Sequence, residues 1–299
     1  MNKINNIYQN TECPICQTLG SYSHQYKSAN TLFDKQPIFS CLNCYFSWNS
    51  TLSQEKLNEY YKVDYNLNDF NRSERFELPI KYFSNKNKMF KSERSIQHLK
   101  IVSRLVTQKN ISILDCGAGL GTTLFLAKDY FNNASLYGYE NDKFSHQYLD
   151  HIGAKYISGD PIESLKSLEE TFDVIILSHF LEHISSGSLL SYVQLLLTKL
   201  KTGGILLIEV PHDNLVKYPQ LLKNEPPHVG FFSIKSLKIL FNEMGYIHLC
   251  GAVGSSIHKE RSFLRKVIGR IYFLICSLLF KAPYTIDGGS IILCVSPKR

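Results

Sequence analysis

The sequence has no apolar stretch long enough to cross a bilayer as a helix. The longest near its C-terminal end, Ile271 to Phe280, is ten residues, against the roughly 20 that a span requires. Its opening residues, MNKINNIYQN, hold no apolar core of a secretory signal. No internal repeat is visible. With 44% hydrophobic residues, this is also not a disordered or low-complexity chain, which could not bury enough surface to offset its ordering entropy. The excess of one charge sign is modest, +7 with a pI of about 8.8. That balance admits nucleic acid, a membrane surface or anionic metabolites as partners and selects none of them. These absences set the expectation of a cytoplasmic protein. At roughly 100–200 residues per domain, 299 residues allow about two domains, or one large domain with a small appendage.

Eight cysteines are present, and they divide. Four form two pairs, Cys13-Pro-Ile-Cys16 and Cys41-Leu-Asn-Cys44, with twenty-four residues between them; Cys116, Cys250, Cys276 and Cys294 stand singly in apolar surroundings. That distribution argues against a secreted disulfide scaffold and for a reducing compartment. Two CxxC turns each present two thiolates from one knuckle, and together they close a tetrahedral Zn²⁺ site that replaces a core too small to fold alone. Cys13, Cys16, Cys41 and Cys44 are therefore the expected zinc ligands of a ribbon over residues 1–50. Four sulfurs leave no open coordination position, so the metal is structural. Redox chemistry would want one pair opening a helix after a strand, and neither pair does so.

Residues 51–95 read as a helical linker or lid. Ser53 is an N-cap candidate ahead of Leu57, Tyr60 and Tyr61, and an aromatic, charged stretch follows. From about residue 96 the pattern becomes regular. Helical spacing over Ser92 to Leu105 precedes short β-rich runs at Ile111 to Asp115, Ala134 to Glu140, Ala154 to Ser158, Phe172 to Leu177 and Gly204 to Val210, with amphipathic helices between them. A helix from Ser233 to Met244, a strand to Val253 and a last strand from Ser290 to Val295 complete the pattern. Continuous apolar strands alternating with helices predict an α/β fold, a doubly wound and mostly parallel sheet covered on both faces, over residues 96–299.

The first strand of that sheet runs into Leu114-Asp-Cys-Gly-Ala-Gly-Leu-Gly121, and the second ends at Glu140, twenty-five residues after Asp115. Glycines at a strand-to-helix turn let a ligand approach the backbone, and an acidic residue closing the next strand can accept from both hydroxyls of a ribose. The combination indicates a ribose-bearing cofactor. No Lys-Ser/Thr pair follows the loop, which excludes a phosphate-cradling P-loop.

On these residues the chain resembles the class I S-adenosylmethionine-dependent methyltransferases. LDCGAGLG stands for their first motif, YGYE for the ribose-binding strand end, SGD for the adenine region, FDVIILSHFLEHI for the fourth strand and KTGGILLIEVP for the fifth, all in the family's order over roughly residues 96 to 255. The resemblance implies a seven-stranded Rossmann-like sheet and S-adenosylmethionine as cofactor. Gly117, Gly119 and Gly121, with Asp115, would surround its methionine part, Glu140 would hold the ribose, and Asp160 would accept from the adenine amino group. Ser178 and His179 would face the sulfonium. The ribbon and the tyrosines ahead of the sheet are similar to those of zinc-ribbon methyltransferases from bacterial sugar and natural-product pathways. That implies a small-molecule acceptor, a sugar or a surface-polysaccharide or natural-product intermediate, methylated on oxygen, nitrogen or carbon.

A methyl transfer needs an aligned acceptor and a group to take its proton. His179, Glu182, His183, His212 and His228 are candidates, with Glu182 and His183 expected at the start of the helix after the fourth strand. His228 or His179 is the expected general base, since an imidazole of pKa ~6.5 can be neutral at working pH. An Asp/Asn-Pro-Pro-aromatic loop after the fourth strand, needed by nucleic-acid amino-methyltransferases, is missing: the position reads Ser-His-Phe-Leu. Two other readings stay open at this point, an RNA methyltransferase that uses the ribbon to bind RNA and a non-catalytic adenosyl-binding interaction protein. An insertion at about 255–289 carries six basic against two acidic residues, +4 of the chain's +7. Its apolar positions fall mostly on one helical face, so it is a candidate contact with a membrane surface or a protein partner.

Overall fold

The computed structural model describes residues 10–26, 28, 30–61, 77–86, 88–108, 110–211, 215–216, 228–253 and 290–297, with only the backbone of 248–253. His212, the aromatic stretch after Tyr61 and the basic insertion lie outside the described residues. Among those described, no helix is long and apolar enough to cross a membrane.

The two cysteine turns are built alike. In each, the residue after the second cysteine takes a left-handed backbone, Gln17 at φ 59° and Tyr45 at φ 61°. Its N–H returns to the first cysteine's carbonyl, Gln17 to Cys13 and Tyr45 to Cys41, both at 2.9 Å. Before, between and after the turns run β1 (Thr11–Glu12), β2 (Leu19–Gln25), β3 (Pro37–Ser40) and β4 (Ser47–Asn49), each antiparallel to the next. The helix α1 (Gln54–Tyr60) follows, capped as expected by the Ser53 side chain.

The large sheet contains β5 (Ser112–Cys116), β6 (Ser135–Tyr139), β7 (Lys155–Ile157), β8 (Phe172–Ser178), β9 (Leu200–Pro211), β11 (Tyr246–Val253) and β12 (Ser290–Pro297), in the order β11-β12-β9-β8-β5-β6-β7. From β7 to β9 all neighbours are parallel, while β12 and β11 add antiparallel. The seven-stranded, mostly parallel sheet is the one expected. Ile113, Leu114, Val174 to Leu177 and Leu206 to Ile208 are wholly buried, as strands covered on both faces must be.

One face carries α3 (Ser92–Leu105), α4 (Thr122–Ala127) and α5 (Lys143–His151), after the short α2 (Pro79–Tyr82). The other carries α6 (Pro161–Ser167), α7 (Leu189–Thr198) and α8 (Ile234–Glu243). The ribbon belongs to this second face: Ile15, Phe39, Phe46 and Trp48 lie in one buried cluster with Leu177, Leu196 and Phe232. A two-residue strand, β10 (Gly230–Phe231), joins the ribbon itself, pairing Gly230 with Trp48 and Phe231 with Ser47.

One local expectation changes. Glu182 and His183 do not open the helix after β8. They lie in a single 3₁₀ turn, Leu181–His183, and the helix begins only at Leu189 because Ser185-Ser-Gly-Ser188 offers turn-forming residues first. Helix α3 has the bounds expected of it, Ser92–Leu105.

Candidate functional site

Past Cys116 the chain turns through Gly117, Gly119 and Gly121, all at positive φ (79°, 53° and 71°). The first bend is fixed by the Gly117 and Ala118 N–H groups donating to the Tyr139 carbonyl, at 2.9 and 3.1 Å. The three glycines serve different ends. A Cβ on Gly119 would meet nothing within 4 Å, whereas one on Gly121 would stand 2.9 Å from Leu149 Cδ2. Gly121 is therefore needed for packing α4 against α5, and Gly119 leaves open space beside the loop. Glu140, just beyond β6, accepts from the Gly119 N–H through Oε2 at 2.7 Å and from the Asp142 N–H through Oε1 at 2.8 Å.

A cavity of about 380 Å³ opens at the carboxyl ends of β5, β6 and β8, where ligands enter open α/β sheets. Gly117, Gly119 and Glu140 form one wall, and Ser178, His179, Phe180 and His183 another. Asn58 and Tyr61 close it from α1, and Phe90 and Lys91 from the entry to α3. The expected site residues thus separate. Gly117, Gly119, Glu140, Ser178, His179 and His183 meet at this cavity, while Asp115, Gly121, Asp160, Glu182 and His228 do not line it. Asp115 is buried behind the loop, where burial first and the Glu140 charge second push its carboxyl up to about 7. Asp160 caps α6. Its Oδ1 accepts from the Ile162 and Glu163 N–H groups, both at 2.9 Å, and its Oδ2 accepts from Asn58.

Behind the wall formed by β8 and the 3₁₀ turn lie two carboxylates, Glu182 and Glu209, with 1% and no exposure. Glu209 ends the apolar run of β9. His98 Nε2 from α3 stands 2.7 Å from its Oε2, Arg94 Nε 3.4 Å from its Oε1, and the Ser178 hydroxyl 3.3 Å from Oε2. Burial is the largest influence on Glu209 and acts upward, but His179, His98 and Arg94 together hold it well below the usual carboxylate range. His179 has a left-handed backbone (φ 53°) and donates its N–H to the Glu209 carbonyl at 2.8 Å. Its Nδ1 lies 3.2 Å from Glu182 Oε1 and its Nε2 3.6 Å from Glu209 Oε1. Burial lowers its pKa, yet the two carboxylates outweigh that and leave it raised. Glu182 faces His179 and, at 4.0 Å, His228 Nε2. Burial raises its pKa most, and the surrounding histidines more than reverse this.

Glu209, His98 and Arg94 were not singled out by sequence reasoning. A signal existed in Ile205-Leu-Leu-Ile-Glu-Val210, because a glutamate inside a fully buried strand must find a partner.

The four paired cysteines converge as expected, with Cys13 Sγ 3.5 Å from Cys44 Sγ and Cys16 Sγ 3.4 Å from Cys41 Sγ. Four sulfurs at ~2.3 Å from one Zn²⁺ would stand about 3.8 Å apart in a tetrahedron, so the donor set fits that ion. The knuckle also touches the sheet domain, since the Ser233 hydroxyl donates to the Cys44 carbonyl at 2.9 Å.

Comparison with known proteins matches residues 90–249, more than half of the chain, to a family described as a methyltransferase domain. No curated protein matches the chain. Similar solved structures include a SAM-dependent methyltransferase from Archaeoglobus fulgidus, 19% identical over 72% of this chain and 98% of that one, with TM-score 0.45. The N-methyltransferase NodS from Bradyrhizobium japonicum WM9 is 12% identical over 72% and 100%, TM-score 0.45. The plantazolicin methyltransferase BpumL, solved with a monoazolic desmethylPZN analog and SAH, is 17% identical over 82% and 99%, TM-score 0.47.

Proposed function

The chain belongs to the methyltransferase-domain family, and on that premise we propose that it moves a methyl group from S-adenosylmethionine to a small acceptor. We take the acceptor to be a sugar-like or natural-product intermediate bearing a hydroxyl, amine or activated carbon. The observation that carries this reading is the shared cavity onto which Gly119, Glu140, Ser178 and His179 all open. S-adenosylmethionine, when bound, supplies an electrophilic methyl carbon on a sulfonium. Gly119 offers a backbone surface without a side chain, and Glu140 offers a carboxylate suited to the two hydroxyls of a ribose. Asn58 and Tyr61 narrow the mouth and exclude water from the reacting pair. On the opposite wall, His179 and His183 line the cavity where the acceptor's proton would be received, with Glu182 and His228 behind them. A four-cysteine zinc site, with no open ligand position, would hold the ribbon in place and take no part in the transfer.

Calorimetric titration with S-adenosylhomocysteine tests the cofactor part. Removing a charged acceptor costs about 2–4 kcal/mol, roughly 30- to 1,000-fold in affinity, so Glu140→Ala should weaken binding by that factor while wild type binds. Equal affinities would refute the site. Mass spectrometry of nucleotide sugars, glycans and RNA incubated with labelled cofactor tests the acceptor, and a product found on RNA alone would overturn the small-molecule assignment.

A further inference from the structure

We propose that Glu182, His183 and His228 form a site for one divalent first-row metal ion of the Mn²⁺ or Fe²⁺ type, separate from the cysteine cluster. One ligand atom from each lies within 4.8 Å of the other two. The backbone brings them together: Glu182 and His183 are adjacent in the 3₁₀ turn, and the Val229 N–H, next to His228, donates to the Glu182 carbonyl at 2.9 Å. The Val229 carbonyl in turn accepts from Asn49 of the ribbon, also at 2.9 Å. The imidazole rings of His183 and His228 meet edge to face with centroids 5.0 Å apart.

The independent sign of a missing ligand is the carboxylate. Glu182 is 1% exposed, and neither of its oxygens makes a hydrogen bond among the described residues, the nearest approach being His179 Nδ1 at 3.2 Å from Oε1. Buried charge of this kind is retained where something compensates it. Glu209, on the same wall, is compensated at Oε2 by an imidazole at 2.7 Å, while its Oε1 has a guanidinium at 3.4 Å but no hydrogen bond. Around Glu182, among the described residues, the ion-pair contacts are imidazoles alone. Imidazole lone pairs with one carboxylate form a donor set that takes Fe²⁺, Mn²⁺ and similar ions and leaves coordination positions open. The four thiolates of the ribbon are softer and form a closed set. His183 also lines the cavity, so the open positions face the acceptor's side. An acceptor oxygen bound there would be held and polarised for methylation, a role that rests on the methyl-transfer reading. The metal site itself does not.

The full chain, with zinc in its ribbon and no other added metal, is titrated with Mn²⁺ alone while the free ion is followed by electron paramagnetic resonance. Wild type should take up one Mn²⁺ per chain. Glu182→Gln and His228→Asn should each weaken uptake by about 100-fold or more, with zinc content and thermal unfolding unchanged. Because Glu182→Gln also takes a buried carboxylate from His179, a lower melting temperature in that variant is judged apart from uptake, and where it does not fold, His228→Asn, at a half-buried position, decides alone. No saturable uptake by wild type, or equal affinity in a folded variant, overturns the proposal. Mn²⁺ uptake by a chain that fails to bind S-adenosylhomocysteine would support the metal site and sink the methyl-transfer reading.

Discussion

The pair formed by His98 and Glu209 makes a quantitative demand on stability. Both side chains are buried, at 1% and 0% exposure, and Nε2 and Oε2 stand 2.7 Å apart. Removing one partner of such a pair strands a charge and costs about 3–5 kcal/mol. Here the loss is tempered, because Arg94 at 3.4 Å and the Ser178 hydroxyl at 3.3 Å still face the carboxylate. His98→Leu keeps volume in place of the ring, so the expected loss is the charge part, about 2–4 kcal/mol. At about 2–4 °C per kcal/mol for a domain of this size, the melting temperature should fall by roughly 5–15 °C. Replacing both partners with leucine removes the stranded charge, and the double variant should be at least ~1 kcal/mol more stable than the sum of the single losses predicts. Urea unfolding followed by circular dichroism measures all three variants. A loss below about 1 kcal/mol in His98→Leu, or losses that add within ~0.5 kcal/mol, would show that the two groups are not paired in the folded protein.

Zinc analysis of the purified chain should find one equivalent, lost in Cys41→Ser together with the folded signal of Trp48, the only tryptophan; a folded, zinc-free Cys41→Ser would refute the structural role. Gly119→Ala and Gly121→Ala should fail differently. Both carry the strain of a side chain at positive φ, but the first otherwise adds its methyl group to open space and should weaken S-adenosylhomocysteine binding in a folded protein. The second strikes Leu149 at 2.9 Å and should destabilise by more than about 1 kcal/mol; the same phenotype in both would contradict the division of roles. Asp115 should leave a pH signature. Its folded pKa of about 7 lies above the ordinary 3.8, so the native state binds the proton more tightly. That contribution is present at low pH and is lost as pH rises through 7. Relative to Asp115→Asn, wild type should lose up to about 4 kcal/mol between pH 4 and 7, and parallel stability curves for the two would refute the shift.

The features legible in the sequence are those encoded locally. A CxxC turn folds on itself, and the spacing of its two copies already suits a four-sulfur set. A glycine loop between a strand and a helix, followed by an acidic strand end, carries its geometry in its spacing. Asp160 carries a local signal beside the cofactor role expected of it. Asp-Pro at a helix start is an N-cap followed by proline at the first helical position, and the structure uses Asp160 in this way. What stayed hidden depends on distant partners. His98 and Glu209 are 111 residues apart. Read singly, one is a histidine on a helix and the other an acid in a strand. The 3₁₀ turn holding Glu182 was concealed because helix-compatible residues on both sides of Ser185 to Ser188 carry the apolar pattern across the break.

The place of the ribbon follows from the same long-range contacts. A small metal-held unit joined by a flexible linker would keep its own surface, but here the chain returns after β9 to give β10 to the ribbon's sheet. The described run ahead of it begins at His228. Val229 is clamped between Asn49 of the ribbon and Glu182 of the buried cluster, the Ser186 hydroxyl donates to the Asn49 carbonyl at 2.8 Å, and the Ser185 N–H donates to Gln54 at 2.9 Å. Each contact ties a ribbon or α1 residue to the turn that carries Glu182 and His183. The thiolate site therefore fixes, through β4 and β10, the backbone on which those side chains stand. Loosening the ribbon moves His228 relative to Glu182 before it disturbs the glycine loop, which is anchored to β5 and β6 on the other side of the cavity. A ribbon needed only for folding would leave both halves of the cavity equally dependent on it; this connectivity makes the wall that carries His183 the dependent half.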